Sequence, residues 1–143
     1  MLLDANVLLY AVVEDLPQHE QAKRWLTEAL DGDQRIALPW QTIGTVIRIL
    51  TQPRTFNPPR TGAEVWVHIR AWLDCPVVWV PPTGERTAAI LGDLMERHQL
   101  TGRLIPDAQL AALAIEHGIP VVSADTDFAR FPEVRWINPL RAD

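Results

Sequence analysis

Short apolar runs punctuate this chain at wide intervals, and segments of helical periodicity fill most of the gaps between them. Met1-Leu2-Leu3, Arg35 to Leu38, Pro76 to Val80, Pro120 to Ser123 and Val134 to Ile137 read as five strands. Strands without polar alternation need cover on both faces, and strands joined through helices run parallel. The helical segments are equally legible. Ala5 to Val13 is a short apolar helix, and Pro17 opens another in which Ala22, Trp25, Leu26, Ala29 and Leu30 repeat until Asp31-Gly32-Asp33. A third spans about Trp40 to Thr51, with Ile43, Ile47 and Leu50 on one face. Thr61 is placed to cap a fourth through Asp74, with Val65, Ile69, Trp72 and Leu73 inward. A fifth starts at Thr83 or Gly84 and ends near His98; a sixth runs from Pro106 to a stop at Gly118. Gln52 to Arg60 is a loop, because its three prolines cannot sit inside a helix. The pattern predicts a three-layer α/β/α sandwich around a mainly parallel five-stranded sheet, and 143 residues suit a single domain, 1–143.

Composition narrows the function. At 48% hydrophobic and 22% charged residues the chain is expected to fold as a globular protein, and no apolar run approaches the ~20 residues of a membrane helix. Cys75 is the one cysteine, which excludes a disulfide scaffold; with no recognisable export signal, a cytoplasmic location is expected. The net charge of −5 argues against broad attraction to phosphate, although every cation except Lys23 is an arginine. Any chemistry on nucleic acid must therefore be organised locally.

In open parallel sheets ligands bind beyond the carboxyl ends of the strands. Asp4 closes the first strand, Asp125 and Asp127 follow the fourth, and Asp107 opens the helix after Pro106. Each has a structural use of its own: Asp4 as a helix cap, Asp107 against a helix dipole, and Asp125 with Asp127 in an Asx turn. Gathered together, four carboxylates repel one another unless a cation joins them. Oxygen-only ligands favour Mg²⁺ or Mn²⁺ over zinc. His19, His68, His98 and His117 show no metal-ligand spacing and read as surface or helix-end residues. A cation held by carboxylates suits phosphodiester hydrolysis, because it lowers the pKa of a water and stabilises the leaving oxygen. No Gly-x-Ser-x-Gly elbow, P-loop or Gly-x-Gly-x-x-Gly fingerprint competes with that reading.

Met1-Leu2-Leu3-Asp4-Ala5-Asn6-Val7-Leu8-Leu9-Tyr10, Pro106-Asp107-Ala108-Gln109-Leu110-Ala111-Ala112-Leu113-Ala114 and Ser123-Ala124-Asp125-Thr126-Asp127-Phe128-Ala129-Arg130-Phe131 together resemble the PIN-domain toxins of VapBC toxin–antitoxin systems. The resemblance spans nearly the whole chain, including Leu38-Pro39-Trp40 and Trp136-Ile137-Asn138-Pro139-Leu140. It implies a Mg²⁺- or Mn²⁺-dependent endoribonuclease leaving a 5′-phosphate and a 3′-hydroxyl. Such a toxin is inhibited by a small cognate VapB antitoxin and is commonly a homodimer. By that resemblance Asp4, Asp107 and Asp125 are metal ligands. Asp127 is a further ligand or supporting acid, and Asn6 and Ser123 hydrogen-bond the cluster or its water.

The chain departs from that pattern at Thr45, which stands where such toxins usually carry a glutamate. No acid occurs from Gln34 to Ala63, so no neighbour on that helix replaces it; Glu14 and Glu20 are the acids considered to reach in from elsewhere. A catalytically weak or inactive module that binds RNA or antitoxin is therefore the alternative. Arg48, Arg54, Arg60 and Arg103 are candidate RNA contacts, with Phe56 either stacking on a base or tucked under its loop. The six tryptophans are expected in the core, with Trp66 the candidate for a partner groove. A phosphoacceptor receiver domain is set aside: the third strand ends in Val80-Pro81-Pro82, with no acid, and no lysine follows Lys23.

Overall fold

The computed structural model describes residues 1–141. Strands β1 (Leu2–Leu3), β2 (Ile36–Ala37), β3 (Val78–Trp79), β4 (Val121–Val122) and β5 (Trp136–Ile137) form one sheet in the order β3-β2-β1-β4-β5. Every pairing is parallel, so the sheet is wholly and not just mainly parallel. Helices α1 (Ala5–Val12), α2 (His19–Asp31), α3 (Trp40–Leu50), α4 (Gly62–Leu73), α5 (Glu85–His98) and α6 (Ile105–His117) connect the strands, with 3₁₀ turns at Gly102–Leu104 and Thr126–Arg130.

Each strand contributes two residues, and the pleat sends them to opposite faces. Leu3, Ile36 and Val122 enter one core, with Val78 and Ile137 packed against it; Leu2, Ala37 and Val121 enter the other, with Trp79 and Trp136. The register pairs like with like: Leu2 faces Ala37 and Val121, and Leu3 faces Val122. The first core is roofed by α1 to α4 through Leu8, Leu26, Val46 and Ile69, the second by α5 and α6 through Leu94 and Leu113, together with Phe128. This is the expected three-layer arrangement. After β1 the chain turns into α1 within one residue, and beyond β2 Leu38 N still donates to the Trp79 carbonyl at 2.8 Å.

Local chemistry sets the helix ends. Thr61 accepts from Glu64 N while the Glu64 side chain accepts from Thr61 N, a closed capping box. Gly118 takes φ +64° to stop α6, a conformation that a residue without Cβ adopts freely. Pro17 lies in the turn before α2, whose first residue is His19. On α3 the buried stripe is Thr42, Ile43, Val46 and Leu50, which leaves Trp40 outside it. The expectation of six core tryptophans is corrected accordingly. Trp72 is buried and Trp25, Trp79 and Trp136 are half-buried, but Trp40 and Trp66 are 60% and 41% exposed. Trp66 follows the inward Val65 by one residue, about 100° around the helix, which turns it off the core face. No helix among the described residues is long and apolar enough to cross a membrane.

From β1 the chain moves outward to β2 and β3, then returns across the sheet to β4 on the other side of β1. The carboxyl ends of β1 and β4 therefore flank the point where strand order reverses, the crevice in which such sheets bind ligands. Thr42 fixes α3 to that edge: its buried Oγ1 donates to the Leu3 carbonyl at 2.7 Å. Thr42→Val keeps the shape and removes the donor, and is expected to lower unfolding free energy by about 1–3 kcal/mol. A urea denaturation midpoint that falls with unchanged slope is the expected reading.

Candidate metal centre at the carboxyl ends of β1 and β4

A hydrogen-bonded knot joins the two strand ends. Asp4 caps α1, its Oδ1 accepting from Ala5 N at 2.7 Å, while its Oδ2 accepts from Ser123 Oγ at 2.7 Å and Asn6 Nδ2 at 2.8 Å. Asn6 also reaches β4 from α1, donating to Ser123 Oγ at 2.9 Å and accepting from Ala124 N at 3.0 Å. Ser123 Oγ accepts in turn from Asp125 N, and Asp125 Oδ1 accepts from Asp127 N. The cap and the Asx turn foreseen as structural uses are thus both present. They leave lone pairs over: Asp4 Oδ1 takes a single protein hydrogen bond, although a carboxylate oxygen can accept two.

Asp107 enters from the first turn of α6. One carboxylate oxygen each from Asp107, Asp125 and Asp127 lie within 4.8 Å of one another. Burial, followed by the negative charges of Asp4, Asp125 and Asp127, pushes the Asp107 pKa up to about 7, with Arg103 opposing. The Asp4 carboxyl is also held above its ordinary range, first by burial and further by Asp125, against the hydrogen bonds from Ser123, Ala5 and Asn6. Four acids thus share one electrostatic field. All their donors are oxygen, and among the described residues no histidine or cysteine joins the group of three, a chemistry that fits a hard dication such as Mg²⁺ or Mn²⁺; Asp4, expected as a ligand, stands outside that group, and Asp127 stands within it.

The other candidates fall elsewhere. Thr45 is half-buried, and its hydroxyl donates to the Gln41 carbonyl of its own helix at 2.9 Å. Arg48 and Arg54 are exposed. Arg60 turns inward, with Nη2 on the Val12 carbonyl at 3.3 Å and Nη1 3.5 Å from His68 Nε2. Phe56 is half-buried against the first core. Glu14 and Glu20 are exposed and do not join the acidic group. His19 is a helix-end residue but a buried one, with Nδ1 2.9 Å from the Tyr10 carbonyl. Arg103 lies at the site, with Nη1 2.8 Å from Asp127 Oδ2.

Three participants escaped sequence reasoning. Thr42 had no acid to advertise it, and the Trp136 indole, which donates to the Ser123 carbonyl at 2.9 Å, gave no local signal. Arg130, 3.7 Å from Asp127 Oδ1, was detectable from its three-residue spacing to that acid.

A PIN domain profile matches residues 1–134. Ribonuclease VapC33 of Mycobacterium tuberculosis is 37% identical over 138 residues, 96% of each chain, and Ribonuclease VapC37 of the same organism is 39% identical over 139 residues, again 96% of each. The chain belongs to the VapC family of PIN-domain proteins. Solved VapC structures share its fold. VapBC2 from Rickettsia felis, bound to a promoter DNA fragment, superposes with a TM-score of 0.69 at 16% identity, over 96% of both chains. VapC20 of M. tuberculosis, described as a sarcin-ricin loop cleaving toxin, gives 0.66 at 20% identity, over 94% of this chain and 98% of its own.

The raised Asp107 pKa has a cost that pH exposes. Between the ordinary carboxylate value of 3.8 and about 7 the folded state keeps a proton that the unfolded state has released. Over that window the native state binds more protons, so this group's contribution makes metal-free stability fall as pH rises and level off above about 7. Asp107→Asn removes this contribution. Thermal melts of the metal-free protein at pH 5 and pH 8 should show a smaller loss for the variant than for wild type.

Proposed function

We propose that this VapC-family chain, folded as one PIN domain over residues 1–143, is a Mg²⁺- or Mn²⁺-dependent endoribonuclease toxin of a type II toxin–antitoxin pair. The observation that carries the reading is the grouping of Asp107, Asp125 and Asp127 within 4.8 Å at the β1/β4 crevice, with burial and then the charges of Asp4, Asp125 and Asp127 pushing Asp107 up to about 7. Relatives at 37% and 39% identity that bear the name ribonuclease support it. The VapBC complexes among its structural neighbours support a VapB-type antitoxin as partner. A homodimer, an RNA substrate and a cytoplasmic location complete the proposal.

Asp4, Asp107 and Asp125 would hold the dication, which when bound supplies a water of lowered pKa and positive charge beside the scissile phosphate. Ser123 and Asn6 keep the Asp4 carboxylate in one orientation, with Oδ1 the oxygen left with spare accepting capacity. Asp107 holds a proton at acidic pH and releases it as the site is neutralised. Asn6 and Ser123 also fix the β4 turn against α1, so Asp125 is presented at a set distance from Asp4.

A second reading rests on Thr45. Its hydroxyl is already spent on the Gln41 carbonyl and it carries no charge, so the site lacks the acid that helix α3 would otherwise supply. A weak or inactive enzyme that binds RNA or antitoxin follows from that deficit. Cleavage of a mixed RNA substrate by purified protein separates the readings. On the nuclease reading Mg²⁺ or Mn²⁺ supports cleavage, a chelator abolishes it, and Asp4→Ala and Asp107→Asn each reduce kcat/KM by at least about 100-fold. No cleavage by wild type with either ion overturns that reading, and a large gain in Thr45→Glu would trace the defect to the missing acid.

A further inference from the structure

Both oxygens of Asp127 face guanidinium groups. Oδ2 accepts from Arg103 Nη1 at 2.8 Å, and Oδ1 lies 3.7 Å from Arg130 Nε. The acid is mostly enclosed, its side chain 17% exposed, whereas the two arginine side chains are 77% and 56% exposed. They arrive from separate elements, Arg103 from the 3₁₀ turn before α6 and Arg130 from the 3₁₀ turn after β4. Neither makes another ion pair among the described residues.

This environment suits an anion on the solvent side better than a cation on the acid. One Asp127 oxygen lies within 4.8 Å of oxygens of Asp107 and Asp125, but an ion about 2.1 Å from Asp127, the usual Mg²⁺–oxygen distance, would sit close to a guanidinium and be repelled by it. Asp4 Oδ1 carries no such burden, and the Asp107 carboxylate, although it feels Arg103, makes no ion pair among the described residues. Each guanidinium has five N–H donors, and Asp127 engages one of Arg103's, so most of the fork remains open to solvent. Planar forks of this kind match phosphate oxygens.

We propose that Asp127 is a positioning residue and not a metal ligand: it holds Arg103 and Arg130 as a two-armed clip for backbone phosphates of a single-stranded nucleic acid beside the acidic crevice. The proposal rests on the nuclease reading for its substrate, but the clip is testable without cleavage. Arg103 then touches substrate directly, while Asp127 acts through the arginines.

The test compares the full-length wild type with Asp127→Asn, Arg103→Gln and Arg130→Gln. Mn²⁺ titration without RNA measures the metal site. Binding of a fluorescent single-stranded RNA of mixed sequence, in chelator and across a range of salt, measures the clip. Steady-state cleavage separates KM from kcat. Expected are Mn²⁺ affinity within about threefold of wild type for Asp127→Asn and RNA binding weakened about tenfold in each variant, the scale of one charge-assisted hydrogen bond. The salt slope should become shallower by about 0.7 for each arginine removed. KM should rise with kcat little changed.

A tenfold or greater loss of Mn²⁺ affinity in Asp127→Asn makes it a ligand and overturns the proposal. So do arginine variants with unaltered RNA affinity and salt slope, whose guanidiniums would serve only to neutralise the acids, and so does a wild type that binds no RNA in chelator. Failure of the nuclease reading looks different: wild type neither binds Mn²⁺ nor cleaves, whatever the salt slope shows.

Discussion

The hydroxyl of Ser123 ties the molecule's two halves together at the place that matters. It donates to Asp4 at the end of β1 and accepts from Asn6 on α1 and from the Asp125 amide beyond β4. Residues 117 to 119 positions apart in sequence are thereby fixed within hydrogen-bond distance. Parallel strands demand long crossovers, so this contact joins segments that lie at opposite ends of the chain. Strands of two residues are held in place by this knot together with the two cores.

The same knot concentrates negative charge, and the fold bears the consequence. A half-buried carboxyl facing three others binds its proton up to about pH 7, as Asp107 does. Hydrogen bonds from Ser123, Ala5 and Asn6 oppose that tendency at Asp4 without cancelling it, since burial outweighs them. Such strain is a familiar mark of sites shaped for a ligand and not for stability. The remainder of the chain supplies the compensation: each strand residue is assigned to a core, and α6 is packed along most of its length.

Fold and acidic residues were legible in the sequence for a shared reason. Apolar runs ended by Asp4 or followed by Asp125 are local patterns, and the rule that parallel sheets bind ligands at strand ends converts local patterns into a common location. The strands are shorter than the apolar runs: of Pro76 to Val80 only Val78–Trp79 form β3, with the Val77 carbonyl adding one bond from Ile36 N. Trp40 and Trp66 were misplaced because large size was taken for burial, when position on the helix decides it. Arg60 looked like its neighbours Arg48 and Arg54; only the turn of the chain after α3 brings it to the Val12 carbonyl. Thr42 and Trp136 contribute through bonds to backbone carbonyls, which no side-chain motif records.

Charge arithmetic links the neutral Thr45 on α3 with the paired Asp127. With Asp127 balanced by Arg103, three carboxylates remain to be compensated at the crevice, and α3 adds none because its hydroxyl is turned to its own backbone. One dication offsets most of that charge, and the raised Asp107 pKa reduces the remainder near neutral pH. On the nuclease reading the attraction that draws a phosphate to so acidic an edge then has to come from protein, and Arg103 is the guanidinium already standing 2.8 Å from Asp127.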